Sequence, residues 1–507
     1  MVRSAAVALV ILAAAFAVGR AAAATPPDAP LVRLDTGVVA GRVEGGARVF
    51  RAIPYAAPPV GAWRWRPPQP PARWTGVRPT VSDGPACMQA VLPGRYNLGG
   101  YQGAVSEDCL TLDVFAPLRA KKAPVMVWIF GGGDVAGADS IAPNDGRFFA
   151  RDGVILVAMN YRLGAFGWFA HPALTREARP TAPLVNYGLM DQIAALKWVR
   201  CNIAAFGGDP RNVTIFGESA GGEDVLTLMV TPTARGLFEK ATVQSGLGWR
   251  PPVTLAQAEA SGLSLAGKLG LGAAATPAQL RAIPADQLVR AEGRAGPVVD
   301  GRLVVETPAQ GFARGHEAAA PLIIGSNTWE ASLLPRADYA AYLAAASPAL
   351  RAAYAADAGD PAKQAQDMFT DAVMGAPARW FARKEAGKAG AWLYEFSYVR
   401  AAKRGEIPGA NHTSENPYVF DTQMIIPHYS AEIVEQDRAV ATFMHGCWVA
   451  FAKTGAPGCR ADGRVWPRYS ARTDELMDFT SPPAIVRGYR KTQLDAQEAA
   501  AAAIIAP

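Results

Sequence analysis

Histidine and cysteine are scarce in this chain, five of each among 507 residues. Cys87, Cys109, Cys201, Cys447 and Cys459 contain no C-x-x-C pair, so the spacing of a zinc ribbon or a dithiol redox centre is missing. Their odd number leaves at least one thiol unpaired or bonded outside the chain. Charged residues make up only 19%, the net charge is +6, and there is no long Lys/Arg run. A basic stripe interleaved with aromatics is also missing, so nucleic acid is not an expected partner. No internal repeat is found. Beyond the N-terminus no uninterrupted apolar stretch reaches the ~18 residues of a membrane span, so no stable membrane insertion is expected.

What is present is hydrophobic material, 50% of the chain, with 50 Gly and 40 Pro. That composition supports a large core with many tight turns and long loops, as in the Pro-rich stretches 54–71 and 251–252. The first residues read as an export signal: Arg3, an apolar run from Ala5 to Val18, then small residues Ala21 to Ala24. The expected organisation is a signal peptide over residues 1–24 and a single domain over 25–507. The mature protein is then periplasmic or extracellular, where disulfides are permitted.

Short apolar runs read as strands: 124–130 (PVMVWIF), 154–160 (VILVAMN), 213–216 (VTIF), 322–325 (LIIG) and 391–396 (AWLYEF). They show little alternation, as expected of strands covered on both faces in a parallel sheet. Helical spacing lies between them, notably over 187–206 with Leu189, Ile193, Leu196, Trp198 and Val199. Strand–helix alternation over such a length predicts an α/β architecture.

The VTIF run leads into Gly217-Glu218-Ser219-Ala220-Gly221-Gly222, and a helix-like stretch follows. A G-x-S-x-G between strand and helix is a nucleophile elbow: the turn is so tight that its flanking positions must be small, and it lifts the serine hydroxyl above the sheet. The N–H of Ala220 then lies at a helix N-terminus, suited to an oxyanion. A second set of donors follows an earlier strand at Gly131-Gly132-Gly133, where the missing Cβ atoms let the backbone approach a substrate. Gly132, Gly133 and Ala220 are the expected oxyanion donors.

A serine hydroxyl needs a general base oriented by a carboxylate. In this fold class the chain order is Ser, then acid, then His, which disfavours His171. His445 lies in an apolar helical pattern and reads as packing, and His316 sits in a charged loop before the best acid. His412, in the turn-rich loop Pro408–Thr413, is favoured over His428. Glu330 follows the predicted strand LIIG and is the expected acid.

Together these segments resemble the type-B carboxylesterase/cholinesterase family over nearly the whole mature chain. The resemblance is carried by Phe50–Ala56 with Pro58–Gly61, Ser106–Leu110, Val127–Gly133, Asn160–Gly164, Gly188–Pro210, Gly217–Gly222 and Gln244–Gly246. It implies an α/β-hydrolase fold: a mostly parallel central sheet flanked by helices, with long insertions forming an active-site gorge. It implies a serine esterase with Ser219 as nucleophile, His412 as base and Glu330 as acid, acting on a small-molecule ester without metal or organic cofactor. Cys87 and Cys109 match the family's N-terminal disulfide at the gorge mouth, and Arg162 with Asp191 match a buried ion pair of the scaffold. Cys447 and Cys459 could then bridge, leaving Cys201 free. The same triad serves amidases and thioesterases. Non-catalytic members of the family lose triad residues, and this chain keeps all three. Phe130, where many bacterial members have His, and Asp134, where an aromatic is usual, depart from the pattern. Asp134 would set a carboxylate near the acyl group. Trp249 and Trp329 are tentative substrate contacts, and Trp63, Trp65 and Tyr101 are further candidates for an aromatic gorge wall.

Overall fold

The computed structural model describes residues 29–91, 100–291, 293 and 295–506, so the expected signal peptide over 1–24 lies outside the described residues. Eleven strands form the main sheet. In chain order they are β1 (Arg42–Glu44), β2 (Ala47–Pro54), β3 (Thr111–Pro117), β4 (Ala123–Ile129), β5 (Ile155–Met159) and β6 (Gly208–Glu218). They continue as β7 (Lys240–Gln244), β8 (Leu322–Asn327), β9 (Ala391–Phe396), β10 (Glu475–Phe479) and β11 (Ala484–Arg487). Their spatial order is β11-β10-β9-β8-β7-β6-β4-β5-β3-β2-β1.

From β5 across to β10 every neighbouring pair is parallel, and the antiparallel strands lie at the two ends. The parallel strands β5, β7, β8 and β9 are buried along their whole length, as the apolar runs at 154–160, 322–325 and 391–396 imply, while β7 (KATVQ) is buried despite Lys240, Thr242 and Gln244. The chain runs from β4 outward to β5, then returns to place β6 on the other side of β4. That reversal makes the carboxyl ends of β4 and β6 a topological switch point, where open α/β sheets hold ligands.

Helix α1 (Tyr187–Asn202) is buried over most of its circumference, with Lys197, Arg200 and Cys201 exposed near its C-terminal end. The helical pattern read over 187–206 continues as a 3-10 turn, Ile203–Phe206, and ends at Gly207 with φ 89°. Helix α2 (Ala220–Val230) has every residue buried and packs on β6 and β7. Helix α3 (Glu435–Thr454) packs on β4 and β6. One apolar cluster extends from Val32 to Phe479, so a single core joins both ends of the described chain. No helix among the described residues is long and apolar enough to cross a membrane.

Cys87 is bonded to Cys109, and Cys447 to Cys459, while Cys201 is a free, exposed thiol. The Arg162 guanidinium grips Asp191 at the buried start of α1 with two contacts of 2.7 Å, Nε to Oδ2 and Nη2 to Oδ1. It also donates to the carbonyl of Arg66 at 2.9 Å, tying the Pro-rich loop to the helix. Removing one partner of such a pair strands the other charge in the interior. Asp191→Ala should therefore lower unfolding free energy by about 3–5 kcal/mol in urea titrations. A loss below about 1 kcal/mol would contradict a buried, uncompensated Arg162.

Candidate active site

The sharpest local feature is the bend between β6 and α2. Ser219 sits there with φ 58° and ψ −125°, a left-handed conformation for a residue with a Cβ. The sequence around it explains why the bend can form. A Cβ on Gly217 would lie 2.4 Å from the carbonyl of Gly221, and one on Gly221 would lie 2.1 Å from the carbonyl of Ile129. Neither position admits a side chain. Ser219 N donates to the carbonyl of Gln244 at 2.9 Å, which holds the bend against the end of β7.

Gly131, Gly132 and Gly133 leave the carboxyl end of β4 directly beside this bend. A Cβ on Gly131 would meet Ser219 Cβ at 2.9 Å, so the loop and the serine are in van der Waals contact only because glycine is there. Gly132 and Gly133 adopt φ 97° and 66°. The carbonyl of Gly132 accepts from Val135 N and Ala136 N, both at 3.2 Å, which turns it into the loop's own turn.

His412 Nε2 lies 2.8 Å from Ser219 Oγ, and its Nδ1 lies 2.6 Å from Glu330 Oε2. With the ring proton on Nδ1 donated to the carboxylate, Nε2 is left to accept from the hydroxyl. All three side chains are nearly sealed from solvent, at 8%, 7% and 0% exposure in the order Ser219, His412, Glu330. Glu330 opens a 3-10 turn just after β8, and its Oε1 accepts from Asn327 N at 2.7 Å and Ser245 Oγ at 2.5 Å. His412 N donates to Ser332 Oγ at 3.0 Å, and Trp329 N donates to the carbonyl of Ala410 at 2.8 Å. The turn of Glu330 and the loop of His412 are thus stitched together.

The other histidines are occupied elsewhere. His171 caps the helix Pro172–Glu177 by accepting from Ala173 N at 3.1 Å. His316 pairs with Glu306 at 2.8 Å. His445 is packed in α3, with Nδ1 against the carbonyl of Val419 at 2.7 Å, as its helical pattern implies. The side chain of His428 lies outside the described residues.

Three groups that motif spacing did not single out complete the site. Ser245, on the turn after β7, fixes the second oxygen of Glu330. It belonged to the Gln244-Ser245-Gly246 segment, whose pattern was visible without its role. Glu218 precedes the serine, and its Oε1 lies 3.2 Å from His412 Nε2. Burial, with Glu415 and Glu330 nearby, pushes the Glu218 carboxyl up to about 8. Glu415 lies behind them, accepting from Asn327 Nδ2 at 2.6 Å and Gln244 Nε2 at 3.2 Å. Burial works to lower the His412 imidazole, but the carboxylates of Glu218 and Glu330 outweigh it, so its affinity for a proton is raised.

The remaining sequence candidates are placed as follows. Asp134 directly follows the glycine loop, is buried, and raises the carboxyl of neighbouring Asp224, which accepts from Gln192 Nε2 at 2.5 Å. Trp249 and Trp329 are partly exposed, and the Trp249 ring centroid lies 6.3 Å from that of Trp380. A cavity of about 250 Å³ opens beside Gly131, Gly132 and Glu218, and neither Trp249, Trp329 nor Asp134 lines it. Among the earlier aromatic candidates, Trp65 is buried and donates to the carbonyl of Ala165 at 2.7 Å, while Trp63 is exposed. Tyr101 donates to the carbonyl of Ala104 at 2.8 Å. A larger cleft of about 430 Å³ lies away from the serine, between residues 67–71 and α1.

Known proteins resemble this chain over most of its length. The model of the carboxylesterase family matches residues 28–356 and 336–497. The chain is 35% identical over 493 residues to fumonisin B1 esterase of Sphingopyxis macrogoltabida, covering 90% of this chain and 88% of that enzyme. It is 35% identical over 481 residues to para-nitrobenzyl esterase of Bacillus subtilis (strain 168), covering 89% and 95%. A solved PNB esterase structure superposes with a TM-score of 0.80 at 33% identity, covering 92% of this chain and 99% of that one. A carboxylesterase of Geobacillus stearothermophilus gives 0.79 at 31% identity with the same coverage. The chain therefore belongs to the type-B carboxylesterase/cholinesterase family, and it is a hydrolase of carboxylic esters with the α/β-hydrolase fold.

Proposed function

We propose that the enzyme cleaves its ester by two-step acyl transfer through Ser219, His412 and Glu330. The reading is carried by the unbroken contact chain from Ser219 Oγ through the imidazole to Glu330. As Ser219 Oγ bonds to the carbonyl carbon, its proton passes to His412 Nε2, and Glu330 stabilises the imidazolium. The carbonyl oxygen gains the negative charge and is held by the N–H groups of Gly132, Gly133 and Ala220. Nε2–H then protonates the alcohol oxygen as the C–O bond breaks. Water repeats the sequence on the acyl-enzyme, releasing the acid and restoring the serine.

Supporting this assignment are the strained bend that presents the serine, the glycine loop in contact with it, and the acid's fixed orientation. Asp134, Trp249 and Trp329 are proposed as contacts on the acyl side. Residues 1–24 are proposed as an export signal ahead of one catalytic unit, 25–507. The two disulfides among the described residues suit an oxidising compartment, and the continuous core suits a single unit.

Ser219→Ala should cut kcat on a chromogenic ester by at least about 10⁴-fold and abolish covalent labelling by an organophosphate, with thermal unfolding little changed. Persisting turnover or labelling would remove Ser219 from its role. Glu218→Gln takes away a carboxylate that favours the protonated imidazole. The acid limb of the kcat/KM profile, which follows formation of neutral His412, should therefore move to lower pH. A limb that stays in place or moves upward would show that Glu218 does not act on the imidazole. On a panel of esters sharing one alcohol, an anionic acyl group should be disfavoured against a neutral one of equal size. Asp134→Asn should narrow that gap by roughly threefold or more. An identical gap in the variant would dismiss Asp134 as the cause.

A further inference from the structure

The two segments that meet at the serine each carry a buried acid. Asp134 directly follows Gly133 on the glycine loop, and Asp224 stands on α2, the helix that Ser219 opens. They are 2% and 0% exposed. Their side chains are hydrogen-bond partners. An ionised carboxylate only accepts, so a hydrogen bond between two acids needs a proton on one of them. Two charged carboxylates in contact would also repel, so the buried pair keeps one proton and one negative charge.

Asp224 is the acid that keeps the proton. Burial first, and then the charge of Asp134, push its carboxyl well above the usual carboxylate range. Its Oδ2 accepts from Gln192 Nε2 at 2.5 Å, so one polar chain runs from α1 through α2 to the glycine loop. Glu223, 3.5 Å from Arg250, adds to the upward push. Tyr161 feels both acids, but its hydroxyl donates to the carbonyl of Phe130 at 2.7 Å and is not the donor between them.

The backbone indicates what the contact is for. Asp134 adopts φ 60°, the left-handed region in which glycine is at ease and a side chain is strained. Burial disfavours a carboxyl there as well. A position that opposes both a side chain and a charge nevertheless holds an aspartate, and the bond to Asp224 is what that side chain gains. The Asp134 carbonyl accepts from Gly164 N at 2.7 Å, and the Gly132 carbonyl accepts from Val135 N and Ala136 N. Asp134 therefore sits inside the same turn as Gly132 and Gly133, and holding its carboxyl holds their N–H groups.

We propose that Asp134 and Asp224 form a proton-sharing clamp that positions the glycine loop against α2, keeping the N–H groups of Gly132 and Gly133 aimed at the oxyanion. The clamp rests on the roles given above to Ser219 and the glycine loop, and goes beyond them by naming what holds the loop in place. Asp224 is a positioning residue, since it acts through the loop and not on the reacting atoms.

The test compares Asp224→Asn with Asp224→Leu on p-nitrophenyl acetate. An asparagine can accept from Gln192 and donate to Asp134 with no shared proton, whereas a leucine fills the space and does neither. D224L should lower kcat by roughly tenfold or more with KM within about threefold, because a displaced loop fails mainly in the transition state. D224N should stay within about threefold of wild type in both constants. Thermal unfolding at pH 5 and pH 8 reads the proton itself. A carboxyl that holds its proton more tightly folded than unfolded costs stability as pH rises between those two values. The Tm of D224N relative to wild type should therefore be higher at pH 8 than at pH 5, by at least about 2 °C. Should D224L not fold, D224A takes its place, and the D224N arm stands in either case. Wild-type kcat in D224L, or equal losses in D224N and D224L, overturns the clamp, and a Tm difference that is the same at both pH values overturns the shared proton. Ester turnover by Ser219→Ala would instead remove the serine mechanism and leave the Tm comparison untouched, so the two failures are distinguishable.

Discussion

At Ser219 the backbone takes φ 58° and ψ −125° between the end of β6 and the start of α2, a conformation that costs a side-chain-bearing residue on the order of 1–3 kcal/mol. The surrounding packing keeps it there. Gly217 and Gly221 close on each other and on the carbonyl of Ile129, and Gly131 rests against Ser219 Cβ. Two strands of a parallel sheet therefore end within contact distance of each other, with no side chain between them. Everything else about the site follows from that approach. It fixes where the hydroxyl points, sets the glycine loop after β4 against the serine, and leaves room for an imidazole 2.8 Å from Oγ.

The imidazole arrives from far along the chain and is held by carboxylates rather than by apolar packing. Glu330 accepts from an amide, a hydroxyl and the ring, so its charge is matched on both oxygens. Glu415 and Glu218 have fewer donors, and burial raises both. The result is one well-satisfied anion beside Nδ1 and a second, reluctant acid beside Nε2. Burial raises the proton affinity of Glu218, and its charge, when ionised, raises that of the imidazole beside it.

Much of this was legible in the sequence because each part depends on local constraints. Continuous apolar runs announced five of the seven parallel strands, β4, β5, β6, β8 and β9, and the run at 391–396 is a strand with those bounds. The glycines around Ser219 and after β4 are local requirements of tight turns, so spacing alone exposed them. The bidentate Arg162–Asp191 pair and the Cys87–Cys109 bond entered through family resemblance, and the structure has both. The strands β1, β2, β3, β7, β10 and β11 escaped the strand pattern. The runs at 42–54 and 475–487 mix charged and apolar residues because they pair near or at the ends of the sheet. Glu218 and Ser245 escaped for a different reason. Their meaning is which partner they fix, and no one-dimensional spacing carries that.

The separations along the chain make the site depend on long-range contacts. Ser219 and His412 are 193 residues apart, and Glu330 and His412 are 82 apart, yet each pair is in hydrogen-bond contact. Non-local contacts of this kind form only after loop-closure entropy has been met by the sheet. Ser245 follows β7 and Glu330 follows β8, two strands that pair with each other, and β9 pairs with β8 in turn. The glycine loop and the elbow, by contrast, leave the paired strands β4 and β6. One half of the site, Ser219 and the glycine loop, therefore belongs to the sheet centre, while the other half, Glu330 and His412, comes from later parts of the chain. Strain at the serine is affordable because the first half is buried and over-determined. Tuning of the imidazole is possible because the second half is assembled from side-chain hydrogen bonds that single substitutions can change.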